Sequence, residues 1–239
     1  MREPLQVYIG FDRREREAYE VAEFSIREHA SVPVRVTPLK LEQLEAQGLS
    51  LRPYRIFRNS VWDIISDAPV STEFANSRFL TPLLAQSGWA LFVDCDVVVL
   101  DDIAKLFDLA IDRYAVMCVQ HQHQPVELTK MDDQPQTTYP RKNWSSVMLF
   151  NCDHPSNQRL THAMINNTPG RDLHRFCWLD DHEIGALPRE WNWLVGVQPK
   201  PERPRLAHFT LGGPWIENWT QAEHDELWLH CQNRYRRAS

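Results

Sequence analysis

From its N-terminus the chain alternates short apolar runs rich in β-branched residues with stretches whose apolar positions recur every three or four residues. Leu5 to Phe11 predicts a first strand, ending at Gly10-Phe11-Asp12. Ala18, Val21, Ala22, Ser25 and Ile26 follow at helical spacing. Asp12 with Glu15 reads as a capping box, so this helix is expected to begin near Arg13. Pro33 and the alternating Val34 and Val36 predict a second strand, and strand–helix–strand is the usual opening of a parallel sheet. Leu41 to Gln47 predicts a short helix closed by Gly48. Leu49 to Pro69, with Arg52, Arg55, Arg58 and Trp62, predicts an irregular surface segment bordering a cleft. Ser71 is placed to cap a helix through Phe74, Arg78 and Phe79, restarted at Pro82 and ended by Gly88.

The next run, Leu91 to Leu100, has the pattern of a buried strand, interrupted by Asp94 and Asp96. Asp101 introduces a helical turn over Ile103 to Phe107, and Tyr114 to Gln120 is another buried strand. A long polar stretch with Pro125, Pro135 and Pro140 separates it from the strand Val147 to Asn151, and so long a connection points to a functional loop. Helices are predicted over Pro155 to Asn166 and Trp178 to Leu187, the second stopped by Pro188. Trp191 to Val197 and Leu206 to Thr210 read as late strands. Thr220 with Glu223 makes a second capping box. Its helix carries Leu227, Trp228, Cys231 and Tyr235 on one side, with Arg234, Arg236 and Arg237 at its end. With no repeat, low-complexity tract or linker, the pattern predicts one α/β domain over residues 1–239, a mixed, mostly parallel sheet flanked by helices.

Composition narrows the function more than the fold. A net charge of -6 argues against a nucleic-acid partner, since no positive field draws in a polyphosphate backbone. Five cysteines, odd in number and without metal-type spacing, read as reduced thiols, and with no signal peptide at Met1 they predict a cytoplasmic protein. No apolar run approaches the roughly 20 residues needed to span a bilayer.

The candidate chemistry lies in Asp94-Cys95-Asp96. Alternate side chains of an extended chain share a face, so the two carboxylates point together while Cys95 points back. At the mouth of a sheet they make a hard oxygen site suited to Mg²⁺ or Mn²⁺, and such a metal suggests a phosphate-bearing ligand. The plainer alternative is that they cap the following turn. Leu206 to Trp215 places His208 in a late strand before Gly212 and Gly213, whose amides can approach a phosphate closely. His208 is either a third metal ligand or a hydrogen-bonded core histidine. His121 and His123 alternate along a strand end and form a weaker metal candidate without a third ligand.

These segments together resemble the nucleotide-sugar glycosyltransferases of the GT-A (Rossmann-like) fold, and family 8 most closely. Asn76-Ser77-Arg78-Phe79-Leu80-Thr81-Pro82-Leu83-Leu84 before the acid pair, the Val147 to Asn151 strand, and Trp178-Leu179-Asp180-Asp181-His182 match that family's segments in order. Leu187-Pro188 with Trp191-Asn192 and His208 to Trp215 continue the match.

The resemblance implies a Mn²⁺ (or Mg²⁺) ion held by Asp94, Asp96 and His208, and a UDP-sugar donor. It places donor-binding positions at Gly10, Phe11 and Asp12, at Arg78, at Asp94 and Cys95, at Trp144, Ser145 and Ser146, and at Gly212 and Gly213. Asp12 has the alternative role of helix cap, and Arg78 that of a surface ion pair. Residues 1–100 become a nucleotide-binding half and 101–239 an acceptor- and sugar-binding half. Asp180 and Asp181 are the catalytic candidates, as base or as the group on the far face of the sugar, with helix capping the alternative for one of them. The acceptor is a carbohydrate or glycoconjugate hydroxyl in polysaccharide or glycoconjugate synthesis. The basic C-terminal helix is a candidate for peripheral contact with an anionic membrane face, against a packed helix with a solvated basic end. Departures from the family are plain. Its Asp-Gln-Asp reads Asp180-Asp181-His182, its lysine before Pro-Trp is Gly213, and its Asn-Ala-Gly is Trp144-Ser145-Ser146. Stereochemistry and donor sugar are therefore not carried over. Two alternatives remain: a haloacid-dehalogenase-like Mg²⁺-dependent phosphatase, and a sugar-nucleotide binder without activity. The phosphatase class does not explain His208 to Trp215.

Overall fold

The computed structural model describes residues 3–57, 60–122, 141 and 143–238. In chain order the elements begin with β1 (Leu5–Phe11), α1 (Arg16–His29), β2 (Val34–Lys40), α2 (Leu41–Ala46), β3 (Tyr54–Phe57), β4 (Ser60–Asp63) and β5 (Ala68–Pro69). Next come α3 (Thr81–Ala85), β6 (Trp89–Val93), β7 (Val97–Val99), α4 (Ala104–Phe107), β8 (Val116–Cys118) and β9 (Val147–Asn151). The chain ends with α5 (His162–Asn167), α6 (Gly170–His174), β10 (Ile184–Ala186), β11 (Trp193–Leu194), β12 (Leu206–His208) and α7 (Asp225–Ala238).

A six-stranded sheet runs β10-β8-β9-β6-β1-β2. β1 pairs in parallel with β2 and β6, and β8 with β10, while β9 runs against both β6 and β8. The sheet is thus mixed and mostly parallel, as its apolar strands predict. Val7, Ile9, Leu91, Phe92, Val93 and Leu149 are fully buried within one large core. Successive connections leave β1 on opposite sides, towards β2 and then β6, which makes a topological switch point beyond their C-terminal ends. Asp12 and Asp94 follow those ends. A second sheet, β11-β12-β7, packs with α1 and α7 around Trp193, Phe209 and Trp228. Ser25 Oγ on α1 accepts the Val99 N–H of β7 at 3.0 Å and donates to Ala22 O at 2.8 Å, joining that helix to the second sheet.

Several predicted elements are corrected. Leu91 to Leu100 is not one strand: β6 belongs to the large sheet and β7 to the small one, with the break at Asp94–Asp96. Leu49 to Pro69 is not irregular, since β3, β4 and β5 form an antiparallel sheet. Its Arg52 is no surface residue: it is buried against Asp63, and donates to Ile165 O at 2.7 Å and Thr168 O at 2.8 Å. Ser71 starts no helix; a 3-10 turn over Ser77–Leu80 leads into α3. The predicted Pro155 helix breaks at Leu160 (ψ 66°), and Thr161 caps α5 by accepting the Met164 N–H at 3.1 Å. Trp178 to Leu187 holds a 3-10 turn over Asp181–Glu183 and then β10, because Ile184–Ala186 complete the sheet edge beside β8. The strand predicted over Trp191 to Val197 shortens to β11. The last helix starts at Asp225 and not near Thr220, because His224 takes a left-handed φ of 71°. Its Arg234 and Arg236 pair with Glu28 and Glu17 of α1 at 2.7 and 2.8 Å.

Candidate active site

The break between β6 and β7 turns Asp94 and Asp96 into the junction of the two sheets. Asp94 N–H donates to Ser146 O at 3.0 Å, which continues the β6–β9 pairing, and Phe209 N–H donates to Asp96 O at 2.9 Å, which continues β7–β12. The β12–β7 register sets His208 opposite Val97, next to Asp96. His208 Nε2 lies 3.2 Å from Asp96 Oδ1 and 4.0 Å from Asp94 Oδ2. Ligand atoms of all three residues lie within 4.8 Å of one another, so the predicted trio converges.

Behind the trio His208 is pinned. Its Nδ1 donates to Asn192 Oδ1 at 3.0 Å, Asn192 Nδ2 donates to Ser146 Oγ at 2.9 Å, and Ser146 Oγ donates to Asn143 O at 3.0 Å. Asn192 is fully buried. With Nδ1 donating to Asn192, the ring turns Nε2 towards the carboxylates, the orientation in which metal-binding histidines are held.

The electrostatics match a site for positive charge. Burial pushes the Asp94 carboxyl up to about 6, with Asp96 adding to the rise, despite the Arg78 guanidinium beside it. Burial also works to raise Asp96 and to lower His208. Their mutual attraction outweighs it, holding Asp96 below and His208 above their ordinary values. Among the described residues Asp96 Oδ1 is buried without a well-aligned hydrogen-bond donor, with only His208 Nε2 near it at 3.2 Å. Two carboxylates and an imidazole around an orphaned oxygen are a donor set suited to a divalent cation such as Mn²⁺ or Mg²⁺.

Other predicted positions divide into those at the trio and those occupied elsewhere. Arg78 Nη1 donates to Asp94 Oδ1 at 2.7 Å and to Ser145 O at 2.9 Å, so it is a buried partner of the acid pair and not a surface ion pair. Ser145 Oγ lies 2.6 Å from His174 Nδ1, and Trp144 Nε1 donates to His121 O at 3.0 Å. Asp12 is fully buried, with its oxygens taken by the Arg14 backbone and side chain and by Glu73 N–H. Gly10 makes room for Phe74, whose ring would stand 2.3 Å from an added Cβ. Phe11 packs edge-on against Tyr19 under the Lys40 ammonium. Asp180 and Asp181 sit on an exposed turn: Asp180 N–H donates to Glu183 Oε2 at 2.8 Å, and Asp181 pairs with Arg141. The structure does not bring them into the Asp94–Asp96–His208 cluster. His121 Nδ1 lies 3.1 Å from Gln198 Nε2, and burial, with His208 nearby, lowers its pKa to about 4. His123 lies outside the described residues, as does most of the long polar connection.

Two residues have roles that their sequence context hides. Asn192 stands out only as part of a Trp-Asn pair, and nothing local shows that it holds His208. Glu15 has the spacing of a helix cap, yet its side chain makes no cap hydrogen bond. It accepts from Cys95 Sγ at 3.6 Å and Trp215 Nε1 at 3.3 Å, and burial with the Asp96 and Asp12 charges pushes it up to about 7. A carboxyl so perturbed next to the Asp94–Asp96 turn is a signature of functional sites.

The sequence model that matches the chain, over residues 22–215, is Glycosyl transferase family 8. Protein CDI of Arabidopsis thaliana is 44% identical over 244 residues, spanning 100% of this chain and 90% of that protein. General stress protein A of Bacillus subtilis (strain 168) is 33% identical over 163 residues, 57% of this chain and 56% of that protein. Among solved structures the glycosyltransferase GlyE of Streptococcus pneumoniae TIGR4 is similar at a TM-score of 0.59 and 12% identity, over 97% of this chain and 60% of that one. The galactosyltransferase LgtC, in complex with donor and acceptor sugar analogues, gives 0.55 and 12% identity over 96% of each chain. At such identities these structures speak for the fold, a mixed sheet of the GT-A type.

Proposed function

The chain belongs to glycosyltransferase family 8 and is a glycosyltransferase, and we propose that it moves a sugar from a UDP-sugar, bound with Mn²⁺ or Mg²⁺, to a carbohydrate or glycoconjugate hydroxyl. The observation that carries this is the convergence of Asp94, Asp96 and His208 at the switch point, with His208 oriented by Asn192. A divalent cation bound there supplies neutralisation for the charge that grows on a departing diphosphate. The chain's own residues do the rest. Asp94 and Asp96 hold the positive charge, Arg78 fixes Asp94, and Asn192 keeps the imidazole proton on Nδ1. Buried Ser145 and Ser146 form the floor beside Asp94, and the Gly212-Gly213 backbone faces the diphosphate. Asp180 or Asp181 serves the acceptor side, as base or as stabiliser of the sugar's developing positive charge. Their exposed turn is open to a large acceptor, and release of Asp181 from Arg141 frees its carboxylate.

A phosphatase is not favoured, since family membership and the His208 arrangement both lie outside that class. Calorimetric titration with UDP, with and without Mn²⁺, tests the proposal on the native protein and on Asp96→Ala. Metal-dependent affinity that disappears in the variant is expected. Affinity indifferent to both metal and substitution sinks the metal-site assignment. Hydrolysis of a panel of UDP-sugars then identifies the donor.

A further inference from the structure

Glu15 lies where the two chain segments that build the site meet. It follows β1 on the turn that enters α1. Cys95 points away from the metal side of the acid pair, and its thiol donates to Glu15 Oε2 at 3.6 Å. The other oxygen, Oε1, accepts the indole N–H of Trp215 at 3.3 Å, across 200 residues of sequence. Helix capping does not account for this carboxylate: Asp12 already accepts the Arg14 N–H at 2.9 Å, and the Glu15 side chain caps nothing. Core stability does not account for it either, because Asp12 and Asp96 surround it with like charge.

Trp215 is coupled in turn to the glycine segment. Its ring lies so close to Gly213 that an added Cβ would stand 2.2 Å from Cζ3. Gly212 N–H donates to Phe209 O at 2.8 Å, and Phe209 N–H to Asp96 O at 2.9 Å. The stretch from Phe209 to Trp215 is therefore fastened at its start to Asp96 and at its end to Glu15. An acceptor-only group with two oxygens is what one thiol and one indole N–H require.

Resting on the functional reading above for the identity of the ligand, we propose that Glu15 is a positioning residue of the donor site: its carboxylate ties the Trp215 indole to the Asp94–Asp96 turn and seats the Gly212-Gly213 segment to receive a nucleoside diphosphate. It touches neither metal nor sugar, and it acts through Trp215.

The test combines two readouts on Glu15→Ala, Glu15→Gln, Trp215→Phe and the Glu15→Ala/Trp215→Phe double variant. In calorimetry with Mn²⁺, Glu15→Ala and Trp215→Phe each weaken UDP binding about tenfold. The double variant is no weaker than Trp215→Phe alone, because both changes break one link. Glu15→Gln stays within about threefold of wild type, since its amide oxygen still accepts the indole proton. UMP, which lacks the second phosphate, binds every variant within about twofold of wild type; a merely structural defect would weaken both nucleotides alike. Hydrogen exchange of the nucleotide-free protein gives the second readout. Amides of residues 209–219 exchange faster in Glu15→Ala and Trp215→Phe, while those of β1 and β6 do not change. Unchanged exchange, additive losses, or equal weakening of UMP and UDP would each overturn the proposal. A wild-type protein indifferent to UDP would instead overturn the functional reading and the diphosphate clause, leaving exchange to decide the tie. Should Glu15→Ala not fold, Trp215→Phe alone decides, through the UDP-against-UMP comparison and the exchange of residues 209–219.

Discussion

Replacing Asn192 by leucine probes the centre of the site while leaving Asp94, Asp96 and His208 in place. Asn192 is fully buried, accepts the His208 Nδ1 proton at 3.0 Å and donates to Ser146 Oγ at 2.9 Å. Leucine has the same number of side-chain heavy atoms, is bulkier and has no polar atom, so besides crowding the pocket the change leaves a buried N–H without an acceptor, while Ser146 keeps its bond to Asn143 O at 3.0 Å. One such orphan costs about 1–3 kcal/mol, or roughly 2–12 °C in melting temperature for a chain of this size. The larger effect is on the tautomer. Without Asn192 the proton gains by moving to Nε2, where Asp96 Oδ1 at 3.2 Å accepts it. That closes the site on itself, and metal affinity falls about 10- to 100-fold, the usual weight of a group that orients a ligating histidine. Asn192→Asp separates the two effects: it keeps an acceptor at Nδ1 but loses the donor to Ser146. Because it buries an added carboxylate at a fully buried position, its melting temperature falls, while its Mn²⁺ affinity is kept or raised. The assay is Mn²⁺ titration by calorimetry beside a thermal melt. A leucine variant that is destabilised yet binds Mn²⁺ within about twofold of wild type would falsify the orienting role.

Three further outcomes follow from buried contacts. Asp63→Asn leaves the Arg52 charge uncompensated in a pair whose side chains are 1% and 0% exposed, and costs about 3–5 kcal/mol in urea denaturation; no loss would show that the pair is dispensable. Gly10→Ala drives a methyl into the Phe74 ring at 2.3 Å and destabilises by about 1–3 kcal/mol, and Phe74→Leu in the same chain restores part of it. Burial works to raise Asp12, but Arg14 and the Glu73 N–H outweigh it and hold the carboxyl below its ordinary value. Its contribution is thus complete above the unfolded value near 4 and is lost as pH falls through the lower folded value. Asp12→Asn is accordingly less stable than wild type at pH 7, and the gap narrows below about pH 4; a constant gap contradicts the assignment.

The large sheet was legible because its strands are continuous apolar runs bounded by turn residues, and Leu5 to Phe11 and Val147 to Asn151 pair as their patterns require. The singularity of the acid pair was legible too, since two carboxylates inside such a run are costly to bury unless a positive charge meets them. Failures arose where local pattern and tertiary placement part. Ile184–Ala186 is too short for periodicity to separate strand from helix, and only the open edge of β8 decides it. Arg52 looks like surface, yet its partners are Asp63 in the sheet that follows it and the carbonyls of Ile165 and Thr168 over a hundred residues on. The contacts of Asn192 and Glu15 were hidden for the same reason: a Trp-Asn pair and a capping-box spacing mark the residues, but their partners His208 and Trp215 are distant in sequence.

That register explains why the acid pair sits where a strand fails. Had Leu91 to Leu100 continued as one strand, Asp94 and Asp96 would stand in a single sheet and His208 would need a loop to reach them. The chain instead passes from β6 to β7 between sheets, and each carboxylate inherits the anchor of its own sheet. Asp94 is held by Ser146 O and Arg78, and Asp96 by Phe209 N–H and His208. Cys95, between them, turns back to Glu15, and Glu15 reaches Trp215. Three consecutive residues thus fasten the two sheets and the glycine segment at one point. A shift of either sheet against the other would separate Asp94 from Asp96 before it disturbed either core, so the geometry of the site depends on how firmly that junction holds. The order of unfolding by hydrogen exchange follows from this: amides of Asp94 and Phe209, which bridge each sheet to the turn, are expected to open together and before those of β1.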